Sequence, residues 1–146
     1  MQCLQVMKHD FEYVGPDDNI HTAARKMRDK DIGFLPVVDE DRRPIGTLTD
    51  RDITVRVAAE DARPSNVGVR EVMTTELVTC KATDDLRVAE ERMASNRKSR
   101  IICCDDEGKI VGVISLSDVI EREEDDHLAA YALRLIAGRE TRPTVV

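Results

Sequence analysis

The 146-residue sequence predicts an α+β (α/β-like) fold of two tandem β-α-β-β-α repeats related by pseudo-twofold symmetry, followed by a C-terminal helix. Three observations predict it. Sliding the sequence against itself by 66 residues gives, without a gap, nine identities in the 51 pairs between Val6 and Arg56, where chance gives about three for average composition. The identities are Val6-Met7 with Val72-Met73, Asp18 with Asp84, Ala23 with Ala89, Met27 with Met93, Asp39 with Asp105, Gly46 with Gly112, Asp52 with Asp118 and Arg56 with Arg122. Within each repeat the apolar pattern changes between helical spacing and short strand-like runs. Finally, one repeat of about 55 residues carries a single small sheet with an uncovered face and is marginal alone, whereas two can bury those faces together.

Each repeat opens on a short extended stretch, Phe11 to Val14 and Leu77 to Cys80. Asp17-Asp18 and Thr83-Asp84 then supply helix N-cap chemistry. Ile20, Ala23, Ala24 and Met27 recur at i, i+3, i+4 and i+7, and Leu86, Ala89 and Met93 repeat the stripe, so each first helix is amphipathic. Apolar runs Phe34 to Val38 and Ile101 to Cys104 end in charged turns and read as strands entering hairpins. Return strands Ile45 to Leu48 and Ile110 to Ile114 lead into second helices over about 50–60 and about 116–124. The organisation expected is repeat one over 1–62, a linker over 63–69 containing Pro64 and Gly68, and repeat two over 70–126. A helix over 127–138 follows, with Leu128, Tyr131, Ala132, Leu135 and Ile136 on one face, and then a flexible tail over 139–146. The acidic run Glu121 to Asp126 reads as a solvated helix end.

Composition narrows the function. No apolar stretch approaches the roughly 18 residues that span a bilayer, and Met1 to Asp10 lacks a signal core, so a cytoplasmic protein with no membrane partner is expected. A net charge of −7, no Trp and four Phe and Tyr residues argue against nonspecific nucleic-acid binding, which needs a basic surface and stacking platforms. Cys3, Cys80, Cys103 and Cys104 lack C-x-x-C spacing, and His9, His21 and His127 lie far apart, so neither a metal site nor a disulfide framework is expected. Cys103 and Cys104 point to opposite faces of one strand and read as inert packing. No P-loop, G-x-S-x-G or paired His and carboxylate supports an enzyme.

The chemical signal is the pattern G-x-x-[ST]-x-x-D at both strand-to-helix junctions, Gly46-Thr47-Leu48-Thr49-Asp50-Arg51-Asp52 and Gly112-Val113-Ile114-Ser115-Leu116-Ser117-Asp118. Glycine permits close backbone approach, the hydroxyl and free helix N–H groups suit an anionic oxygen, and the carboxylate can accept from a vicinal diol. That combination suits a ribose phosphate. The same residues also spell a capping box, in which the acid reaches back to the N-cap amide. Recurrence at equivalent positions favours a site over a simple cap.

The phrases Asp31-Ile32-Gly33-Phe34-Leu35-Pro36-Val37-Val38-Asp39 and Gly46-Thr47-Leu48-Thr49-Asp50-Arg51-Asp52-Ile53 resemble those of tandem cystathionine-β-synthase-type (CBS) domain pairs, over about residues 1–126. The resemblance implies a non-catalytic regulatory module, without a cofactor, that senses AMP, ADP, ATP, NAD or S-adenosylmethionine in clefts between the repeats. It implies that Asp52 and Asp118 hold ribose hydroxyls and that Thr49 and Ser115 lie near ribose or phosphate. Phe34, Leu35 and Pro36, with Ile101 and Ile102 in the second repeat, would line the base pocket. It further implies a homodimer that signals through altered module or dimer geometry to a separate effector protein. Where family members carry Pro and Val, the second repeat has Ile102, Cys103 and Cys104, and it bears a basic cluster, Arg97, Lys98 and Arg100. Those cations either neutralise a polyphosphate or form a solvated turn, and Arg51 is a further phosphate candidate or an exposed first-turn residue. The alternative function is a protein-interaction or dimerisation module that keeps this fold without binding a ligand.

Overall fold

The computed structural model describes residues 1–122, Ala130 and Arg134. Apart from those two positions, the expected helix over 127–138, the tail over 139–146 and the acidic run beyond Arg122 lie outside the described residues. The elements, in order, are α1 (Ile20–Lys30), β1 (Phe34–Val38), β2 (Pro44–Thr49), α2 (Asp50–Ile53), α3 (Val69–Val72), β3 (Thr79–Lys81), α4 (Leu86–Asn96), β4 (Arg100–Cys104), β5 (Ile110–Ser115) and α5 (Leu116–Arg122). A π turn, Thr54–Ala58, prolongs α2, and 3₁₀ turns form at Cys3–Gln5 and Pro64–Asn66.

The first helices form where the apolar stripe demands them, burying Ile20, Ala23 and Met27 in one repeat and Leu86, Ala89 and Met93 in the other. Their caps fall one or two residues later than the sequence suggests. Asn19 accepts the Thr22 amide and Asp85 accepts the Arg87 amide. Asp18 and Asp84, expected as caps, instead accept the N–H groups of Gly15 and Lys81 and close the preceding turn. Both helices end on a left-handed residue without glycine, Asp31 and Arg97, each at φ 53°. β1 pairs antiparallel with β2, from Phe34 opposite Thr49 to Val38 opposite Pro44. β3 pairs parallel with β4, setting Cys80 opposite Cys103, and β5 is the third strand of that sheet. The stretch expected as the first strand of repeat one is reduced to a single parallel bridge, Val14 with Val37.

The chain forms two compact units, and they do not follow the sequence repeats. One contains Met1–His9, Val78–Asp106 and the described residues from Val111 onward; the other contains Asp10–Leu77 and Glu107–Ile110. The lead-in of each repeat therefore packs in the unit that carries the strands and helices of the other repeat. Both lead-ins dock through the same bonds. The Cys3 amide donates to Asp84 O at 2.9 Å and the Val69 amide to Asp18 O at 2.8 Å. Lys8 bridges Val113 as Thr74 bridges Thr47. Each unit has its own core. Leu35, Val37, Leu48, Val57, Val69 and Val72 pack with the α1 stripe in one, and Cys3, Met7, Cys80, Ile101, Cys103 and Ile114 with the α4 stripe in the other.

Candidate functional site

β2 ends at Thr49 with extended backbone, φ −116° and ψ 163°, and α2 begins at the next residue. This bend places Thr49 at the N-cap. Its Oγ1 accepts the Asp52 amide at 3.2 Å, while the Thr49 amide donates to Asp52 Oδ2 at 3.0 Å. The second motif repeats the arrangement: the Asp118 amide donates to Ser115 Oγ at 3.2 Å and the Ser115 amide to Asp118 Oδ2 at 2.9 Å. Both copies are complete capping boxes.

The cap uses only one oxygen of each carboxylate. Asp52 Oδ1 lies 3.8 Å from Arg56 Nη1, and Asp118 Oδ1 lies 3.4 Å from Lys8 Nζ. The acids are largely enclosed, at 14% and 10% side-chain exposure, whereas Arg56 and Lys8 are 48% and 68% exposed. Such half-exposed pairs are worth well under about 1 kcal/mol, because water screens the cation. Oδ1 is therefore an acceptor facing a cation, and at Asp118 that cation is easily displaced. Arg56 is anchored more firmly than Lys8, donating also to Val72 O at 2.7 Å. The Ser115 hydroxyl shares a 2.9 Å hydrogen bond with that of Ser117, at the position that Arg51 takes in the first repeat.

The motif glycines have a structural task that ligand approach does not explain. A Cβ on Gly46 would stand 2.8 Å from Met73 Sδ and 3.0 Å from Thr74 O. On Gly112 it would stand 2.6 Å from Met7 Sδ and 3.0 Å from Lys8 O. Glycine is thus required where the docked lead-in crosses the return strand. Strand alternation separates the expected base-pocket residues. Leu35 and Ile101 have no exposed surface and pack in the two cores. Phe34, Pro36 and Ile102 lie on the opposite strand faces; Phe34 is half-buried and the other two are buried. Arg51 is exposed in the first turn of α2. Arg97, Lys98 and Arg100 are exposed at the α4-to-β4 turn, where Arg97 is the helix C-cap and Arg100 donates to Ser99 Oγ at 3.3 Å.

Reading the sequence missed Lys8, Thr74 and the second role of Arg56. The signal was present, since the 66-residue shift pairs Met7-Lys8 with Met73-Thr74 and already matches Arg56 to Arg122. A cavity of about 440 Å³ in the unit of the first motif is lined by residues 15–18, 38–41 and Arg70 and includes none of the expected site residues. Five carboxylates against one guanidinium make it a poor host for a phosphate. Among the described residues, no helix is long and apolar enough to cross a membrane.

The family model described as CBS domain matches this chain twice, over residues 4–59 and 69–125. An uncharacterized protein of Methanopyrus kandleri is 28% identical over 82% of this chain and 61% of its own length. Inosine-5'-monophosphate dehydrogenase of Methanocaldococcus jannaschii is 34% identical over 82% of this chain. The chain spans under two thirds of the first relative and 23% of the dehydrogenase, so the latter likeness concerns only a part of that enzyme. The CBS domain protein TA0289 of Thermoplasma acidophilum matches the fold at TM-score 0.82 and 23% identity, covering 97% of this chain and 77% of that one. The CBS domain protein PAE2072 of Pyrobaculum aerophilum, solved in complex with AMP, matches at TM-score 0.72 and 21% identity, covering 94% and 99%.

Proposed function

Given that the chain belongs to the CBS-domain family, with two copies of the domain, we propose that it is a non-catalytic regulatory module that binds an adenosine-containing ligand. Asp52 and Asp118 accept the ribose diol through Oδ1, and Thr49 and Ser115 stand beside the sugar or its phosphate. One observation carries this reading: in both copies the acid spends Oδ2 on its own helix and turns Oδ1 toward a solvent-exposed cation. A simple cap needs neither the second oxygen nor the cation. The AMP complex of PAE2072 supports an adenine nucleotide as the ligand class.

Displacing Lys8 from Asp118 costs little, whereas Arg56 is also held by Val72 O; Lys8 once displaced, and Arg56 in place, stand next to the sugar, where a cation suits a 5'-phosphate. Binding shifts the module between forms only by the difference in the ligand's affinity for them. A second copy of the chain and a separate effector protein are the partners that such a module needs to pass on its state. Isothermal titration with AMP and with 2',3'-dideoxy-AMP tests the role of the acids. The diol-bearing nucleotide should bind at least about tenfold more tightly, as expected for loss of hydrogen bonds to a charged acceptor. Equal affinity for the two would refute it.

A second reading, an interaction or dimerisation module that has lost its ligand, is favoured by the completeness of both capping boxes, which gives each acid and hydroxyl a purely structural task. It predicts no response to either nucleotide.

A further inference from the structure

Three of the four cysteines converge, although they are far apart in sequence. Cys3 lies on the N-terminal 3₁₀ turn, Cys80 on β3 and Cys103 on β4. Cys80 Sγ stands 3.8 Å from Cys3 Sγ and 3.5 Å from Cys103 Sγ, and the exposures of the three residues are 0%, 3% and 0% for Cys3, Cys80 and Cys103. Cys104, on the other face of β4, is not among them. Inert packing needs no such convergence, which places three polarizable S–H groups where a core could use aliphatic side chains.

We propose that this cluster is a thiol oxidation site, in which a peroxide-class oxidant converts Cys3 and Cys80 into a reversible disulfide. The Cys3 thiolate attacks the peroxide, breaking its O–O bond to give Cys3 sulfenic acid and hydroxide. The Cys80 thiol then attacks the sulfenic sulfur, forming the S–S bond, and the sulfenic oxygen leaves as water with the Cys80 proton. Two thiols are oxidised and one peroxide is reduced to two waters. In the closed cluster, donation from Cys103 and then Cys80 lowers the Cys3 thiol, against burial, which favours Cys3 as the attacking sulfur. On Cys80 the pull of Cys103 is downward, but donation to Cys3 and burial push its thiol up to about 12.

Cys3 can be reached because of where it sits. Its turn is tied to the body of its unit by a few main-chain bonds, from the Cys3 amide to Asp84 O, the Leu4 amide to Ala82 O and the Leu86 amide to Met1 O. A short turn held by so few bonds opens locally at a fraction of the global cost. The same freedom lets Cys3 close the remaining gap to the roughly 2.0 Å of a disulfide, whereas Cys80 and Cys103 are fixed opposite each other in a parallel ladder. Once formed, the bond pins residues 1–9, which also bring Met7 to Gly112 and Lys8 to Asp118.

The test treats the full-length folded protein with hydrogen peroxide, blocks remaining thiols under denaturing conditions and maps linked peptides without reduction. A Cys3–Cys80 crosslink, reversed by dithiothreitol, is expected, with Cys103 and Cys104 recovered as blocked thiols. Cys3→Ser should abolish every intramolecular crosslink; should that variant not fold, Cys80→Ala makes the same cut from the other side. A Cys80–Cys103 crosslink, selective loss of Cys104, or four intact thiols after prolonged exposure that oxidises the unfolded chain would overturn the proposal. None of these readouts depends on nucleotide binding.

Discussion

Lys8 Nζ lies 3.4 Å from Asp118 Oδ1, and this lysine stands 66 residues before Thr74, its counterpart in the docking of the other lead-in. The pairing joins two facts that look separate in the sequence. The segment before each repeat's first strand is a structural part of the other unit; the first delivers Lys8 to Asp118 directly, whereas the second reaches Asp52 only through Arg56, which donates to Val72 O.

The capping boxes give Asp52 and Asp118 a structural task beside the proposed one. Asp52→Ala and Asp118→Ala should each lose about 1 kcal/mol of stability, in the range for removing a helix N-terminal bond. Asn keeps an oxygen for the Thr49 or Ser115 amide and should recover most of that loss while still failing to hold a diol. Urea unfolding of the Ala and Asn variants checks this; Ala variants as stable as the parent would contradict the capping geometry.

The motif glycines should fail by steric clash. Gly46→Ala sets a Cβ 2.8 Å from Met73 Sδ, and Gly112→Ala sets one 2.6 Å from Met7 Sδ. Overpacking of this kind costs about 1–3 kcal/mol. Adding Met73→Ala to Gly46→Ala should return only part of it, since Thr74 O, 3.0 Å away, is main chain and cannot retract. Thermal unfolding of the single and double variants measures the recovery, and a neutral Gly46→Ala would contradict the docking of the lead-in.

Lys8 should matter more for binding than for folding. At 68% exposure its ion pair contributes less than about 1 kcal/mol, so Lys8→Ala should barely change the urea midpoint. If the cation faces a phosphate, the same variant weakens AMP more than adenosine. Equal weakening of both ligands would remove Lys8 from the phosphate side.

The thiols set an alkaline limit on stability. Cys80, whose ordinary value is 9.0, is pushed to about 12. Donation to Cys3 and Cys80, and then burial, raise Cys103; burial, then Asp105, raises Cys104. These three keep their protons in the folded chain above pH 9, where the unfolded chain releases them. Their contribution is whole below about pH 9 and is lost as pH climbs toward the folded values. Cys3 runs the other way: its thiol is lowered, so its share is present above about pH 9 and is lost as pH falls. Urea unfolding from about pH 8.5 to about pH 10.5 should show falling stability. The slope should be shallower in Cys104→Ala, which removes one titrating thiol outside the trio.

Much of this was legible in the sequence because it recurs at a fixed offset. The repeat, the α1 and α4 stripes, the strands from Phe34 and Arg100 and the twin motifs all lie where the 66-residue shift puts them. What escaped is what local pattern does not encode. Three polar residues in a row, Asp17-Asp18-Asn19 or Thr83-Asp84-Asp85, all suit a cap, and only the register of the apolar stripe against the sheet selects Asn19 and Asp85. Nor does a sequence say on which unit a lead-in docks, so the partners of Gly46, Gly112 and Asp118 were hidden. The approach of Cys3 to Cys80 was hidden for the same reason, since their 77-residue separation is closed by that docking.

The most direct test of the ligand-binding reading is a thermal-shift panel of AMP, ADP, ATP, NAD and S-adenosylmethionine on the wild-type chain and on Asp52→Asn/Asp118→Asn. Bound ligand stabilises the native state by RT ln(1 + [L]/Kd), about 2.7 kcal/mol at a hundredfold excess over Kd. The account predicts a rise in Tm with at least one adenosine compound on the wild type and none on the double variant. An unchanged Tm with every compound, or an equal rise in both proteins, would contradict it.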